Sequence, residues 1–384
     1  MDPPKKRTLI VLGFLLVFAL ALGSCSQEPE EVEVTRIVEV PGEATEVEVE
    51  VTRVVETEVE VAVPAEMERG AQVASEIVFI DQWAESGHND VEAEAFNHWN
   101  EDDPAEVSAS CAKCHSTPGH LDFLGADGSE FGTVEQAAPI GTTVECAACH
   151  NEVTIALDSV VFPSGIEVTG LGDESRCMNC HQGRHSTVSV NQSIADAGLG
   201  EGDEDTVSED LGFSNIHYYA AAATLYGTAA KGGYEYDGKS YDGKFDHVAG
   251  YDSCIDCHSP HTLEVNVDEC TMCHTNVETA EDLVNIRMPG SQVDYDGDGD
   301  TEEGIMGEIE SLQEMLYSAL QAYGTEVAGT GVVYDAAAYP YFFDDAGERF
   351  GAWTPRLAKA AYNYQVSKKD PGEYAHGGKY IIQL

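Results

Sequence analysis

The sequence has few positive charges. Its 384 residues include 19 Lys and Arg against 70 Asp and Glu, which gives a formal net charge of −51. A charge of this size repels polyanions, so we expect no nucleic-acid partner and no attraction to anionic lipid headgroups. Most of the carboxylates are predicted to form a solvated surface, and the charge favours basic partners or cations.

The sequence also offers no comfortable transmembrane run at its N-terminus. The apolar stretch at 9–22 has fourteen residues, which is short for a membrane span but typical of the apolar region of a signal peptide. Basic residues at 5–7 precede it, and Leu-Gly-Ser-Cys follows at 22–25. This ending resembles the lipobox of bacterial lipoproteins, which implies that residues 1–24 are a lipoprotein signal peptide and that Cys25 is lipidated. An uncleaved anchor helix is the alternative. In both cases the protein is expected to be exported and tethered to the outer face of a bacterial membrane, at the cell surface or in the periplasm.

Residues 25–66 lack the composition of a folded domain. The segment "EVTRIVE" at 33–39 returns as "EVTRVVE" at 50–56, and Val alternates with Glu between them. This period of two is typical of a strand, but the segment contains nothing against which a Val face could be buried. We therefore predict an acidic tether that is extended by charge repulsion, with strand pairing to a second copy as the alternative.

Cysteine is confined to one pattern, apart from Cys25. Five copies of Cys-x-x-Cys-His use ten of the eleven cysteines. The copies are Cys111, Cys114 and His115; Cys146, Cys149 and His150; Cys177, Cys180 and His181; Cys254, Cys257 and His258; and Cys270, Cys273 and His274. This pattern is typical of c-type haem attachment, in which two thiols bond the porphyrin edge and the adjacent His binds the iron from one side.

Other uses of these cysteines explain the pattern less well. Zinc sites need four ligands but do not require a His directly after each second Cys. A thioredoxin-type redox pair is usually single, and a disulfide framework leaves the histidines unexplained. The sequence therefore predicts five covalently bound haem c groups, with the five motif histidines as proximal iron ligands.

Five large apolar cofactors in about 200 residues would replace much of a normal side-chain core. We predict a mainly α fold with much irregular loop, a multihaem cytochrome c fold organised around packed haems, in a pentahaem domain at 67–290. Spacing and turn signals further predict a helix at 214–227, a small β-hairpin at 234–247, and C-terminal helices at 304–323 and 355–367.

Methionine, the usual alternative to His as the sixth iron ligand, is scarce, with only seven in the chain. Eight histidines lie outside the motifs. Six of them are candidate distal ligands: His88, His98, His217, His247, His261 and His376. The other two, His120 and His185, follow their own motif too closely to reach around the haem and are predicted to be loop histidines.

His261 raises a geometric question because it lies only three residues after His258. Three residues span at most about 10 Å, which is too short to pass around the edge of a haem. His261 is therefore expected to serve a different haem from His258, or none. If it serves a different haem, one short segment supplies ligands to two haems and holds them close together, as electron tunnelling requires.

The motif array resembles multihaem c-type cytochromes, broadly the superfamily of cytochrome c554 and the octahaem oxidoreductases. "WAESGH" at 83–88 and "CHSPH" at 257–261 are similar to segments of those proteins that donate distal histidines. The resemblance implies that His88 and His261 are iron ligands. Catalytic haems in these families often have Lys in place of the motif His, and the sequence contains no Cys-x-x-Cys-Lys.

A second metal site is predicted from "DYDGDGDTEEGI" at 294–305, which matches the start of a calcium loop. The candidate ligands are Asp294, Asp296, Asp298, Asp300 and Glu302. Position 12 of such a loop is normally Glu but is Ile305 here, so Glu303 or Glu308 would have to substitute. An ordinary acidic turn is the alternative. The loop begins a C-terminal region, predicted at 291–384, that is otherwise helical.

These features favour an electron carrier over an enzyme. The expected function is electron transfer through five haems to redox partner proteins or to an extracellular acceptor. One alternative is a reductase of a small nitrogen or sulfur oxyanion with one open haem, although the negative charge disfavours an anionic substrate. Another is a subunit of an extracellular cytochrome polymer.

Overall fold

The computed structural model describes residues 78–288 and 290–384. The predicted signal peptide, Cys25 and the acidic tether lie outside the described residues. Within them, short helices are joined by long loops, and the strands form three separate two-stranded antiparallel sheets. None of the helices in this part of the chain is both long and apolar enough to cross a membrane.

Helices outnumber strands in the described residues. The helices of the first half are α1 Ile80–Ala84, α2 Glu94–Asn97, α3 Ala109–His115, α4 Thr117–Phe123, α5 Cys146–Cys149, α6 Glu152–Ala156, α7 Glu174–His181, α8 Thr187–Asp196 and α9 Ala221–Tyr226. Those of the second half are α10 Cys254–Cys257, α11 Val267–Cys270, α12 Ile305–Tyr323, α13 Pro355–Lys369 and α14 Glu373–Gln383. The paired strands are β1 Glu106–Val107 with β2 Ala138–Pro139, β3 Ser159–Val161 with β4 Glu167–Thr169, and β5 Val333–Tyr334 with β6 Phe342–Phe343.

The two predicted C-terminal helices are present and contribute to the largest part of the side-chain core. Thr354 begins α13 by accepting a hydrogen bond from the backbone N–H of Leu357, and Pro355 occupies the first helical position, where its missing N–H costs nothing. The largest apolar cluster combines α8 and α9 with α12, α13 and α14. This core joins residues from both sides of the predicted boundary at 290/291, and the described residues form one compact unit.

The predicted helix at 214–227 is wrong over its first half, since only Ala221–Tyr226 is helical. His217 and Tyr219 have φ angles of 81° and 51°, which no right-handed helix accommodates. The backbone N–H of Tyr219 donates instead to the carbonyl of Lys369 at 2.8 Å. A tertiary hydrogen bond therefore overrides the local helix signal and holds the segment around His217 open.

The predicted hairpin at 234–247 is also wrong, because this segment contains no strand. Gly238 does form a turn, with φ of 75°. The main-chain donors before the turn bond to side chains rather than across to a second strand: Tyr234 N–H to Asn363 at 2.7 Å and Tyr236 N–H to Tyr241 at 2.8 Å. A small hairpin is present elsewhere, in β3 and β4.

Candidate haem sites

Each Cys-x-x-Cys-His motif lies on or beside a short helix. The first four occupy α3, α5, α7 and α10, whereas the fifth begins at the last residue of α11 and continues in a turn. One helical turn brings the two thiols of a motif to the same side of the backbone. All ten motif cysteines have free thiols, as attachment to haem requires.

Five motif histidines each face one histidine from elsewhere in the chain. The ring centroids are 5.7 Å apart for His115 and His217, 6.1 Å for His150 and His261, 6.4 Å for His181 and His88, 6.2 Å for His258 and His376, and 6.1 Å for His274 and His247. Each motif histidine thus has one partner, and five of the six candidate distal ligands are used once each.

The spacing of these pairs fits two imidazoles on opposite sides of one iron. Metal–imidazole bonds of about 2 Å would place the two ring centroids about 6.3 Å apart and the two bonding nitrogens about 4 Å apart. Four of the five centroid distances lie within 0.2 Å of this value, and that of His115 and His217 is 5.7 Å. The Nε2 atoms of this last pair are 3.4 Å apart, so its rings would have to separate slightly to admit iron.

Hydrogen bonds at the far ring nitrogen orient three of the motif histidines. The Nδ1 atoms of His115, His181 and His258 lie 2.8, 2.9 and 3.3 Å from the backbone carbonyls of Ala95, Tyr219 and Leu263. A carbonyl can only accept, so each Nδ1 carries the proton and Nε2 is left with a free lone pair. That lone pair is the one an iron ligand needs.

Burial strongly favours the neutral form of two of the paired rings, His88 and His217. It lowers the pKa of His88 to about 4, with a further contribution from the nearby His181. It also lowers the pKa of His217 to about 4, with a further contribution from His115. A neutral imidazole offers a lone pair to a metal at neutral pH without first losing a proton.

His261 faces the second motif rather than its own. Its ring is nearly parallel to that of His150, at 6°, and Phe79 stacks on it at 4.6 Å. A hydrogen bond of 2.8 Å from Leu263 N–H to the carbonyl of Ser259 closes the turn that contains His261. The "CHSPH" segment therefore contributes one histidine to each of two pairs.

Three histidines are not brought to a motif histidine in this way. His98, a candidate ligand, bonds Glu94 at 2.6 Å and lies edge-on to Trp99 at 5.0 Å. His120 lies in helix α4 rather than in a loop and bonds the carbonyl of Lys113 at 3.0 Å. His185 lies in a loop, and its Nδ1 is buried without a hydrogen-bond partner.

The third motif contacts the first and the fourth. The nearby thiol of Cys180 lowers the pKa of Cys114 to about 7, although burial opposes the shift. The nearby thiol of Cys254 likewise lowers the pKa of Cys177. Glu174, in the first turn of α7, also accepts hydrogen bonds from the backbone N–H and the thiol of Cys254, at 3.1 and 3.4 Å.

The surface beside the second motif is apolar and open. A groove of about 480 Å³ is lined by Phe131, Val153, Ala156 and Leu157, together with Glu152. Four of these five residues lie on or next to helix α6, which follows the motif directly. Exposed apolar surface of this kind is what a covalently held porphyrin would cover.

The acidic loop at 294–305 brings only some of its predicted ligands together. Two overlapping groups have carboxylate oxygens close enough to share a cation: Asp294, Asp296 and Glu308, and Asp296, Asp298 and Glu303. Asp300 and Glu302 belong to neither group. Glu303 and Glu308, named above as substitutes, do point into the loop, and one oxygen each of Asp296 and Glu303 is buried without a hydrogen-bond partner.

One residue at these sites was missed from the sequence. The carboxylate of Asp370 accepts a hydrogen bond from Nδ1 of His376. The available signal was the segment "DPGEYAH" at 370–376, where a Pro-Gly turn brings an Asp back towards a His.

The curated relatives that match the chain are named as c-type polyhaem cytochromes. The chain is 25% identical to the C-type polyheme cytochrome OmcC of Geobacter sulfurreducens, over 83% of its own length and 47% of the relative's. It is 24% identical to the C-type polyheme cytochrome OmcB of the same species, over 77% and 45% of the two lengths. These relatives support a multihaem c-type cytochrome.

The chain spans about half the length of the curated relatives it matches. No family model matches it. No solved structure matches it either. The superfamily resemblance drawn from the sequence thus remains a prediction, as do the count of five haems and the identity of each iron ligand.

Proposed function

We propose that this cytochrome transfers electrons through five covalently bound haem c groups. The observation that carries the proposal is the set of five histidine pairs, each with one motif histidine and one histidine from outside the motifs. Haem iron, when bound, cycles between its ferric and ferrous states and so carries one electron at a time.

The residues of this chain have separate tasks in the proposal. The ten motif cysteines hold the cofactors covalently and fix their order. The five motif histidines, with His88, His217, His247, His261 and His376, would close both axial sides of each iron. An iron closed on both sides has no position for a substrate, which favours a carrier over the oxyanion reductase considered above.

Contacts between motifs support close cofactors. Because Cys180 meets Cys114 and Cys177 meets Cys254, the groups anchored at the first, third and fourth motifs would be neighbours. His261 ties the second motif to the segment that follows the fourth, through its pairing with His150. The fourth and fifth motifs are separated by only eleven residues, 259–269. Each motif is therefore adjacent to at least one other, as an electron path requires.

The setting of the cytochrome is proposed from the sequence. Lipidation at Cys25 and the acidic tether would hold the haem-bearing unit away from a membrane surface after export. Redox partner proteins or an extracellular acceptor would exchange electrons with it, and the net charge of −51 favours partners with basic surfaces.

Calcium binding at 294–305 is proposed as a structural addition. Glu308 accepts hydrogen bonds from the backbone N–H groups of Tyr295 and Asp296, at 2.7 and 3.0 Å, and so ties the loop to α12. A cation would use the unpartnered oxygens of Asp296 and Glu303. Calcium is expected to raise the melting temperature and EGTA to lower it, and Asp296→Asn with Glu303→Gln is expected to abolish this difference.

The haem proposal is tested by mass spectrometry and electron paramagnetic resonance of the full chain. Five haems per chain, all giving low-spin signals, is the expected result. A protein without absorption in the Soret region would overturn it. A high-spin population that binds cyanide, in a protein with five haems, would move the assignment to the reductase.

A further inference from the structure

Among the ten paired histidines, His376 differs in the hydrogen bond at its Nδ1 atom. Nδ1 of His376 lies 2.9 Å from both carboxylate oxygens of Asp370. Among the described residues, the other hydrogen bonds of this kind in the five pairs go to neutral backbone carbonyls, at His115, His181 and His258. The pair of His258 and His376 is therefore the one with a negative charge directly behind a ring.

The turn between α13 and α14 builds this contact. Asp370 ends α13 and is 3% exposed, and the backbone N–H of Gly372 donates to its Oδ1 at 3.1 Å. Gly372 also leaves room for the imidazole, because a Cβ at this position would lie 2.6 Å from Cε1 of His376. The carboxylate and the ring are thus held in place by the backbone.

Asp370 meets Nδ1 of His376 with both of its carboxylate oxygens and also accepts a hydrogen bond from the backbone N–H of Gly372. A carboxylate is a charged acceptor and makes a stronger hydrogen bond to an N–H donor than a backbone carbonyl does.

A carboxylate that bonds Nδ1 of a ligating imidazole changes the reduction potential of the metal bound at Nε2. It draws the Nδ1 proton towards itself, increases the electron density at Nε2 and makes the ring a more basic ligand. A more basic ligand stabilises the ferric state over the ferrous state, and hydrogen bonding behind an axial ligand is one of the means by which a protein sets a haem potential.

We propose that Asp370 lowers the reduction potential of the haem held by His258 and His376 relative to the potential it would have with a carbonyl in the place of the carboxylate. Asp370 is a positioning residue that acts through His376. The proposal rests on the proposed haem ligation, because it assigns this role to one of the five sites.

The test is Asp370→Asn in the full, haem-loaded chain, followed by a spectroelectrochemical titration. The expected result is an upward shift of one of five midpoint potentials, with the other four unchanged and the low-spin spectrum retained. Asp370→Glu, which keeps the charge, is expected to restore most of the shift. Glu94→Gln is the matched control, since it removes the carboxylate behind His98, which faces no motif histidine, and is expected to shift none.

The outcomes separate this proposal from the haem assignment. A parent protein without five low-spin haems means that the proposed function has failed. Five low-spin haems with no upward shift in Asp370→Asn means that the potential is set elsewhere. If Asp370→Asn loses a haem, Asp370→Ser is titrated instead with the same upward shift expected. Loss of that haem in both variants assigns Asp370 a purely structural role and overturns the proposal.

Discussion

Replacing His261 with alanine tests the pairing of the histidines most directly. His261 lies three residues after His258 in the sequence but faces His150 of another motif, with ring centroids 6.1 Å apart and an angle of 6° between the ring planes. The substitution is therefore expected to open the iron held by the second motif and to leave the iron of the fourth motif closed. Phe79, which stacks on His261, stays in place in this variant.

The size of the effect follows from the number of motifs. One haem in five loses an axial ligand, so about one fifth of the low-spin signal should convert to a high-spin signal. The fold should tolerate the change, since His261 is only partly buried. Electron paramagnetic resonance of the ferric protein measures both signals, and carbon monoxide binding to the reduced protein provides an independent count of open sites.

A second set of variants assigns the open haem to its motif. In a background of Cys146→Ala with Cys149→Ala, which removes the second haem, His261→Ala should produce no high-spin signal. Removing the fourth haem by substituting Cys254 and Cys257 should leave that signal unchanged. The opposite dependence on the two backgrounds would refute the pairing. His98→Ala is the control, because His98 bonds Glu94 and faces no motif histidine, and its spectrum should equal that of the parent protein.

Three further predictions concern stability and spectroscopy. Burial, with a contribution from the charge of Asp370, raises the pKa of Glu373 to about 9. The folded state therefore loses stability as the pH rises from the unfolded pKa near 4.5 towards 9. The gain in the free energy of unfolding from Glu373→Gln should be roughly 1–3 kcal/mol larger at pH 8 than at pH 5, and equal gains would contradict this. Arg287 pairs with the fully buried Glu308 at 2.6 Å. Because Arg287→Met leaves this carboxylate buried without a counter-charge, it should lower the free energy of unfolding, measured in guanidinium, by about 3–5 kcal/mol. A loss below about 1 kcal/mol would show that Glu308 needs no counter-charge. The ring planes of His115 and His217 are perpendicular, at 90°, while the angle between the planes in the other four pairs lies between 6° and 42°. One low-spin electron paramagnetic resonance signal in five should therefore be unusually anisotropic, and it should disappear in His217→Ala. Five similar signals would argue against this geometry.

Local signals predicted the long helices correctly and failed where tertiary contacts compete. Helices α12 and α13, at Ile305–Tyr323 and Pro355–Lys369, lie close to the bounds that their apolar spacing predicted. The helix predicted at 214–227 begins only at Ala221, because Tyr219 bonds the backbone of Lys369 rather than its own turn. The hairpin predicted at 234–247 is absent because Asn363 and Tyr241 take the hydrogen bonds that a partner strand would need.

The candidate iron ligands also divide into those that local sequence identifies and those that only the fold distinguishes. The motif histidines are identified by their spacing alone, because haem attachment depends on five consecutive residues. Among the eight others, their short distance from a motif argued against His120 and His185, but local pattern could not assign each of the remaining six to a motif histidine. His98 and His376 were equivalent candidates on that basis. The fold separates them, since His376 faces His258 at 6.2 Å while His98 bonds Glu94.

The sequence by itself determined the chemistry of the cofactor, the number of attachment motifs and the sign of the surface charge, because each depends on residue types at short spacing. Only the tertiary structure decided which histidine faces which, since partners such as His115 and His217 lie 102 residues apart and local pattern carries no information over that distance. The same holds for the carboxylate of Asp370 behind His376. A turn brings the two together, but only the packing of α14 against the rest of the chain brings His376 to His258.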